Sequence, residues 1–333
     1  MDPVVKALKT CAPKLLGLPN VIGYGRGHRH VGGRNTGEPV LTVLVKKKVP
    51  KDELQSCHMI PKSLNQCPTD VIEVGEVVAL SRTDRERPAR PGMSIGHYRI
   101  TAGTFGAVVY DVKTGEPLIL SNNHVLANST NGKDGRARIG DPILQPGRYD
   151  GGTDQDVIAR LHRFVPIHLE VSSPECKVAA TVENVLNKIV KKFRRNYQVK
   201  IYNSNPSPNL VDAAVAKPIS DSLIVPDIID LGVPRGIAEV AVGDRVVKSG
   251  RTSGTNWGQV KVVQATIKIS MGDMGDAVFS DQVITTRMAQ PGDSGSVVLN
   301  DKGQVCGLLS AGSDTVSVFG RIKNVCDAIG VRF

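Results

Sequence analysis

The chain has 333 residues, 42 Lys/Arg against 32 Asp/Glu for a formal net charge of +10, and 40% hydrophobic residues. That length allows two ordinary domains, or one large domain with an appendage, around a sizeable core. No apolar run reaches the ~18 residues a spanning helix needs, so no membrane is expected among its partners.

Plentiful Gly and Pro (34 and 20), scarce aromatics (4%) and short Val/Ile-rich runs between turn signals favour a mostly β protein. The first residues, "MDPVVKALKTCAPKLLGLPN", are broken by Lys6, Lys9, Pro13 and Lys14 and lack the apolar stretch of a signal peptide. A cytoplasmic location follows as the expectation. In that setting the six cysteines (Cys11, Cys57, Cys67, Cys176, Cys306, Cys326) read as free thiols rather than a disulfide framework. The positive charge is local: residues 1–92 carry +6, residues 188–200 ("KIVKKFRRNYQVK") another +6, and the remainder −2. Such patches are either solvated faces or docking surfaces for an acidic partner.

In chain order, "NVIGYGRG", "PVLTVLVKKKV" and "TDVIEVGEVVAL" are strand-like and "PKDELQS" can open a short helix, which makes residues 1–80 a small N-terminal α/β module. The charged, proline-containing "SRTDRERPARPG" reads as a linker over 81–95. From Gly96 short strands crowd together, as in "GAVVYDVKTGEPLILSNN", where Lys113–Glu116 forms a hairpin turn between apolar runs. One segment breaks the pattern: Val178, Val182, Val185, Leu186, Ile189, Val190 and Phe193 recur at spacings of three and four within Pro174–Arg195, with cations at the C-terminal end. That is an amphipathic helix, carried as an insertion over about 170–205.

Near the end stands "AQPGDSGSVVL". A serine hydroxyl is a poor nucleophile unless a base adjoins it and donors face the charge that develops on the attacked carbonyl. Gly292 and Gly295 permit a tight turn on which the amides of Gly292 and Ser294 can converge. Among seven histidines, His124 in "LILSNNHVLA" follows an apolar strand directly, a position that projects a side chain reproducibly into a cleft. Two acids could orient it: Asp156 in "TDQDVIARL" and Asp212 in "NLVDAAVAKP".

Four motifs in one order, around His124, around Asp212, "KSGRTSGTNWGQV" (248–260) and around Ser294, resemble the chymotrypsin/trypsin-like serine endopeptidases, particularly bacterial trypsin-like peptidases. The resemblance covers about residues 96–333. It implies a double six-stranded β-barrel and a triad in which Ser294 attacks, His124 moves the proton and Asp212 holds the imidazole. Asp212 is favoured over Asp156 because "VDAAVAKP" is closer to that family's Asp-x-Ala-apolar pattern. The resemblance further implies an oxyanion hole from the amides of Gly292 and Ser294. It places the substrate pocket at Met288, Ala289, Gln290, Ser310, Ala311, Gly312 and Ser317, with Val316–Phe319 on the opposite wall. Met288 and Ala289 stand where trypsin places a carboxylate, so an apolar or small P1 residue is expected. The vertebrate Ile-Val-Gly-Gly activation site and the cysteine after the histidine are both missing, which leaves Asp293 to a local hydrogen bond.

Other candidates rank lower. His28-x-His30 lies in a glycine-rich stretch that fits neither a dinucleotide fingerprint nor a P-loop, and Cys57-His58 with Cys67 and Cys11 contains no CxxC pair for zinc. No cofactor and no metal is implied. The expected partners are a protein or peptide substrate and an acidic partner at the basic N-terminal module and insertion, with a homo-oligomer left open. The competing reading is a catalytically silent scaffold on a protease fold, which would have no chemical need for a complete His/Asp/Ser set.

Overall fold

The computed structural model describes residues 2–10, 12–75, 77, 81–100, 102–172, 176–204 and 207–333. They fall into two compact units, Met1–Leu80 and Ser81–Phe333.

In the first unit, helix α1 (Pro3–Thr10) precedes a hairpin of β1 (Val21–Val31) and β2 (Arg34–Val45). Strand β2 then pairs in parallel with β4 (Cys67–Glu73), whose other edge carries the short β3 (Ser63–Leu64), in the order β1-β2-β4-β3. A parallel pair needs a crossover, and here it is built from 3₁₀ turns at Lys51–Glu53 and Ser56–His58 rather than a helix. The helix of this α/β module is α1 instead: Val4 and Ala7 are buried against Leu41, Val43 and Cys67, while Lys6 and Lys9 face solvent.

The second unit holds two β layers. Strands β5 (Ser94–His97), β6 (Gly103–Thr104), β7 (Ala107–Asp111), β8 (Pro117–Ser121), β9 (Pro142–Leu144), β10 (Val157–Phe164) and β13 (Ala214–Pro218) belong to an eight-stranded sheet. Its order is β20-β7-β8-β13-β10-β9-β5-β6, so the short β6 and the C-terminal β20 (Val331–Arg332) flank six central strands. Strands β14 (Arg245–Gly250), β15 (Gly254–Ser270), β16 (Asp276–Thr286), β17 (Val297–Asn300), β18 (Val305–Gly312) and β19 (Val316–Arg321) form a closed six-stranded barrel, which is the mostly β architecture the pattern implied. The β7–β8 turn is at the expected place: Asp111 Oδ1 accepts the amides of Lys113 and Thr114 at 2.8 and 2.9 Å, and Gly115 takes φ +72°.

Helix α4 (Ile322–Ile329) follows β19, and β20 then pairs with β7 (Val331 opposite Asp111). One core therefore spans both layers. It joins Val109, Leu118 and Leu120 of the sheet to Val247, Val297 and Leu308 of the barrel, with Ile322, Val325 and Ile329 of α4 among them. The stretch read as a linker is held inside this unit by its own cations. Arg82 donates to Ser249 Oγ (2.5 Å) and Asp230 Oδ2 (2.6 Å), and Arg87 donates to the carbonyls of Gln145 (2.9 Å) and Asp156 (3.2 Å).

Between the paired strands β10 and β13 the chain leaves the sheet through a two-stranded ladder of β11 (Val171–Ser172) and β12 (Asn203–Ser204), which brackets helix α3 (Lys177–Phe193). The amphipathic spacing placed this helix at 174–195. It starts after Cys176 and ends before Arg194.

Candidate active site

The sequence around the histidine folds as strand, turn, one helical turn. Strand β8 ends at Ser121, and α2 (Asn123–Leu126) lifts His124 out of the sheet so that its side chain stays 25% exposed. Neighbouring asparagines fix that turn: Asn122 Nδ2 donates to the Asp212 carbonyl (2.7 Å), and Asn123 Nδ2 to the carbonyls of Thr130 (3.0 Å) and Val165 (2.6 Å). Asp212 lies just before β13, its carboxylate only 3% exposed. Oδ1 accepts the His124 amide at 3.2 Å, and Oδ2 makes a short hydrogen bond with His124 Nδ1. With Nδ1 engaged, Nε2 is the nitrogen left for a reacting group. Burial works against the imidazolium, but the charge of Asp212 and its hydrogen bond outweigh that cost, and the pKa of His124 is raised above the ordinary imidazole value.

Asp156 is placed differently. It caps the 3₁₀ turn Asp154–Asp156, accepting from Thr153 N (2.9 Å) and Thr153 Oγ1 (2.8 Å), and pairs with Arg85 Nε at 3.0 Å. A second His–Asp pair, His97 Nε2 with Asp141 Oδ2 at 3.0 Å, is a strut between β5 and the turn before β9; its ring is fully buried, so it cannot meet a substrate.

The nucleophile turn follows β16 and precedes β17. Gly292 and Gly295 take φ +97° and +93°, and a Cβ on Gly295 would lie 2.0 Å from Ser121 Oγ and 2.5 Å from the Thr104 carbonyl. Only glycine suits that close docking on the sheet. The turn is anchored there by Thr104, whose amide donates to the Ser294 carbonyl (2.8 Å) and whose Oγ1 donates to the Gly292 carbonyl (2.8 Å). The serine and histidine turns meet at Gly103, where a Cβ would fall 2.4 Å from Val125 Cγ2 and 3.1 Å from the Ser294 carbonyl. Ser294 Oγ itself donates to the Ser310 carbonyl at 3.4 Å, and no hydrogen bond joins it to His124 among the described residues. His124 is thus joined to Asp212, while Ser294 is turned to Ser310. The amides of Gly292 and Ser294 donate to no protein acceptor among the described residues, as an oxyanion hole requires.

What shapes this turn is a buried ion pair that composition did not reveal, since a strand lysine ordinarily reads as a surface residue. Lys248 and Asp293 are both fully buried, Nζ to Oδ2 2.8 Å. Asp293 Oδ1 also accepts the amides of Thr252 (2.8 Å) and Ser253 (3.0 Å), while Oδ2 accepts the Gln290 amide (2.9 Å) and the Ser253 hydroxyl. Lys248 completes its set with Ser253 Oγ (2.6 Å) and the Gly254 carbonyl (3.0 Å). Burial alone would raise the carboxyl of Asp293, but Lys248 and Ser253 overcome it and hold it below the ordinary carboxylate range. The next residues link to the sheet: Arg251 Nε donates to Asp150 Oδ2 at 2.8 Å and its amide to Thr104 Oγ1 at 3.0 Å.

Two cavities lie at this site, one lined by His124 and the other by Ser294. A cleft of about 970 Å³ is lined by His124, Ser310, Val316, Val318 and the tip of the β15–β16 hairpin. A smaller pocket of about 170 Å³ is lined by Ala289, Gln290, Ser294, Leu309, Ala311 and Gly312. Of the pocket residues named from the sequence, Ala289, Gln290, Ala311 and Gly312 line the smaller cavity, and Ser310 lines the adjoining cleft. Met288 and Ser317 do not line it. Met288 is packed in the barrel core with Val246, Val260 and Phe319, and Ser317 is buried behind it, its Oγ accepting the Met288 amide at 3.0 Å. A linear motif gives position along the strand but not which face a side chain takes. The sequence reading, which drew the pocket wall from "TRMAQ" and so included Arg287, did not name Leu309, Ser313 and Asp314 as lining residues. Leu309 was reachable, as it directly precedes the Ser310–Gly312 stretch. Among the described residues no cluster of three or more His, Cys, Asp or Glu side chains forms, and Cys57, Cys67, Cys176, Cys306 and Cys326 are free thiols. Cys11 lies outside the described residues.

With this geometry in place, the chain is similar in structure to several bacterial serine proteases. Thermobifida fusca Protease A is 14% identical over 73% of this chain and 98% of that one, with a TM-score of 0.45. Nocardiopsis protease (NAPase) is 15% identical over 73% and 98%, TM-score 0.45, and Cellulomonas bogoriensis chymotrypsin 15% over 73% and 96%, TM-score 0.44. No protein-family model and no curated protein matches the sequence.

Replacing Lys248 by Met should strand the Asp293 charge in the core. The expected loss is about 3–5 kcal/mol of stability, as for other buried pairs cut on one side. Urea denaturation monitored by the fluorescence of Trp257 would show it, and an unchanged midpoint would contradict the role given to the pair.

Proposed function

We propose that the chain is a serine endopeptidase working through His124, Asp212 and Ser294. The observation that carries this reading is the closed Asp212–His124 hydrogen bond at the edge of a cleft whose neighbouring pocket is floored by Ser294. In the proposed reaction Ser294 Oγ turns from the Ser310 carbonyl toward His124 Nε2, gives up its proton and attacks the scissile carbonyl. Asp212 holds the imidazole in the tautomer that accepts this proton and stabilises the cation that results. The free amides of Gly292 and Ser294 receive the oxyanion, where one such donor contributes roughly 3–4 kcal/mol to the transition state. His124 then protonates the leaving amine, and water repeats the sequence on the acyl-enzyme.

The walls supplied by Ala289, Leu309, Ala311 and Gly312 suit an apolar or small P1 side chain, while Arg287 and Asp314 are exposed residues. Protein and peptide substrates follow from the same reading, and the N-terminal module remains a regulatory or recognition appendage.

Fluorophosphonate labelling tests the nucleophile: wild type should label, and Ser294→Ala should not. Asp212→Asn should lower kcat by about 10⁴ through the wrong tautomer, whereas Asp156→Asn should leave it within a few-fold; the reverse pattern would displace Asp212.

The pH profile has a definite sign. Because the folded protein favours the His124 cation, kcat/KM should rise with pH through a midpoint above the ordinary imidazole value of about 6.5. A midpoint below that value would mean that burial, not Asp212, governs the ring.

For specificity, a peptide library should show cleavage after apolar or small residues. Strict cleavage after Lys or Arg would overturn this preference and point to Asp314, which also lines the pocket.

A further inference from the structure

Helix α3 has a covered face and an open one, and the open face is the apolar one. The chain returning from the helix lies along one side of it: Asn187 Nδ2 donates to the Val199 carbonyl (2.8 Å), the Val199 amide donates to Asn187 Oδ1 (2.7 Å), and the Ile201 amide donates to Glu183 Oε2 (3.0 Å). Ala179, Glu183, Asn187 and Val190 on that side are half-buried. Val178, Val182, Val185, Leu186, Ile189 and Phe193 are exposed, Val178 at 70%, Ile189 at 52% and Phe193 at 77%. At the helical repeat these six fall within an arc of about 100°, the width of a stripe that normally meets a core. An apolar strip of this size facing water marks an interaction surface.

The surroundings of the stripe state the chemistry of what covers it. Residues 177–202 carry seven Lys/Arg against the single acid Glu183, and that acid is engaged by the Ile201 amide. Lys188 and Lys192 border the stripe on the uncovered side, Arg194, Arg195 and the exposed Tyr197 lie at the helix end, and Lys200 and the exposed Tyr202 lie on the returning chain. A second copy of the chain would bring two such cationic segments together, which opposes self-association. The stripe itself carries no polar group to fix the register of a protein partner. A bilayer interface asks for neither: it takes an aliphatic face, basic side chains beside it and tyrosines at the headgroup level.

We propose that α3 with the returning segment to Tyr202 is an interfacial anchor that lays its apolar stripe into an anionic lipid surface. The absence of an 18-residue apolar run bears on crossing a membrane, not on lying along one. The proposal does not depend on peptidase activity, since it rests on an insertion outside the candidate active site.

Vesicle flotation of the full-length protein tests it, with phosphatidylcholine alone and with an equal mixture of phosphatidylcholine and phosphatidylglycerol. The protein should float with the mixed vesicles, not with phosphatidylcholine alone, and added salt should weaken the binding. Val185→Asp/Ile189→Asp should abolish it, and Lys188→Glu/Lys192→Glu should reduce it by at least about tenfold. Circular dichroism checks that the helix survives, and the lysine variant decides if the aspartate variant loses it. The proposal is overturned if wild type does not float, or if Val185→Asp/Ile189→Asp floats as well as wild type. It is also overturned if the stripe instead drives dimerisation in sedimentation, or binds poly-glutamate while vesicles go unbound.

Discussion

Two charges sealed from water, Lys248 and Asp293, fix the shape of the turn that carries Ser294. Neither could stay ionised alone at that depth, where the desolvation cost of each is several kcal/mol. Each is therefore surrounded by a full set of partners, and the partners come from separate parts of the barrel. Lys248 belongs to β14, which pairs directly with β17 beyond the serine, so the charge that neutralises Asp293 is delivered by barrel closure. The counter-ion is built into the chain. A turn stabilised in this way needs no newly cut N-terminus to assume its form.

From that centre the constraint passes outward through the loop between β14 and β15. Its amides hold Asp293 on one side, while the Arg251 side chain reaches Asp150 across the unit and the Arg251 amide reaches Thr104. Thr104 in turn binds both ends of the Gly292–Ser294 segment. The sheet that presents His124 and the barrel that presents Ser294 are thus registered by a few hydrogen bonds. Packing alone would tolerate sliding by fractions of an ångström, which directional hydrogen bonds resist.

Much of this could be read from the chain. The hairpin at Lys113–Glu116, the strand end before His124, the helix between β10 and β13 and the glycine-bracketed serine all announce themselves through local chemistry, and the structure has them in place. What stayed hidden depends on distant partners. Lys248 looks like an exposed strand residue until Asp293 is brought to it. Arg82 and Arg87 look like linker charges until Ser249, Asp230 and Gln145 receive them. Met288 and Ser317 sit where a substrate pocket was expected, but Met288, in the loop after β16, packs into the barrel core, and Ser317 of β19 turns its hydroxyl to the Met288 amide. The choice of Asp212 over Asp156 rested on a motif; geometry brings Asp212 to the ring and engages Asp156 with Thr153 and Arg85.

The pairing of β20 with β7 bears on how this unit folds. Strand β7 hydrogen-bonds with β20, which follows it only after every strand of the barrel, and α4 fills the core shared by sheet and barrel. The sheet holding His124 is accordingly completed at one edge by a pairing between residues far apart in sequence. Closing so long a loop costs entropy before the shared core offsets it, so sheet and barrel are joined by a slow, non-local step of folding.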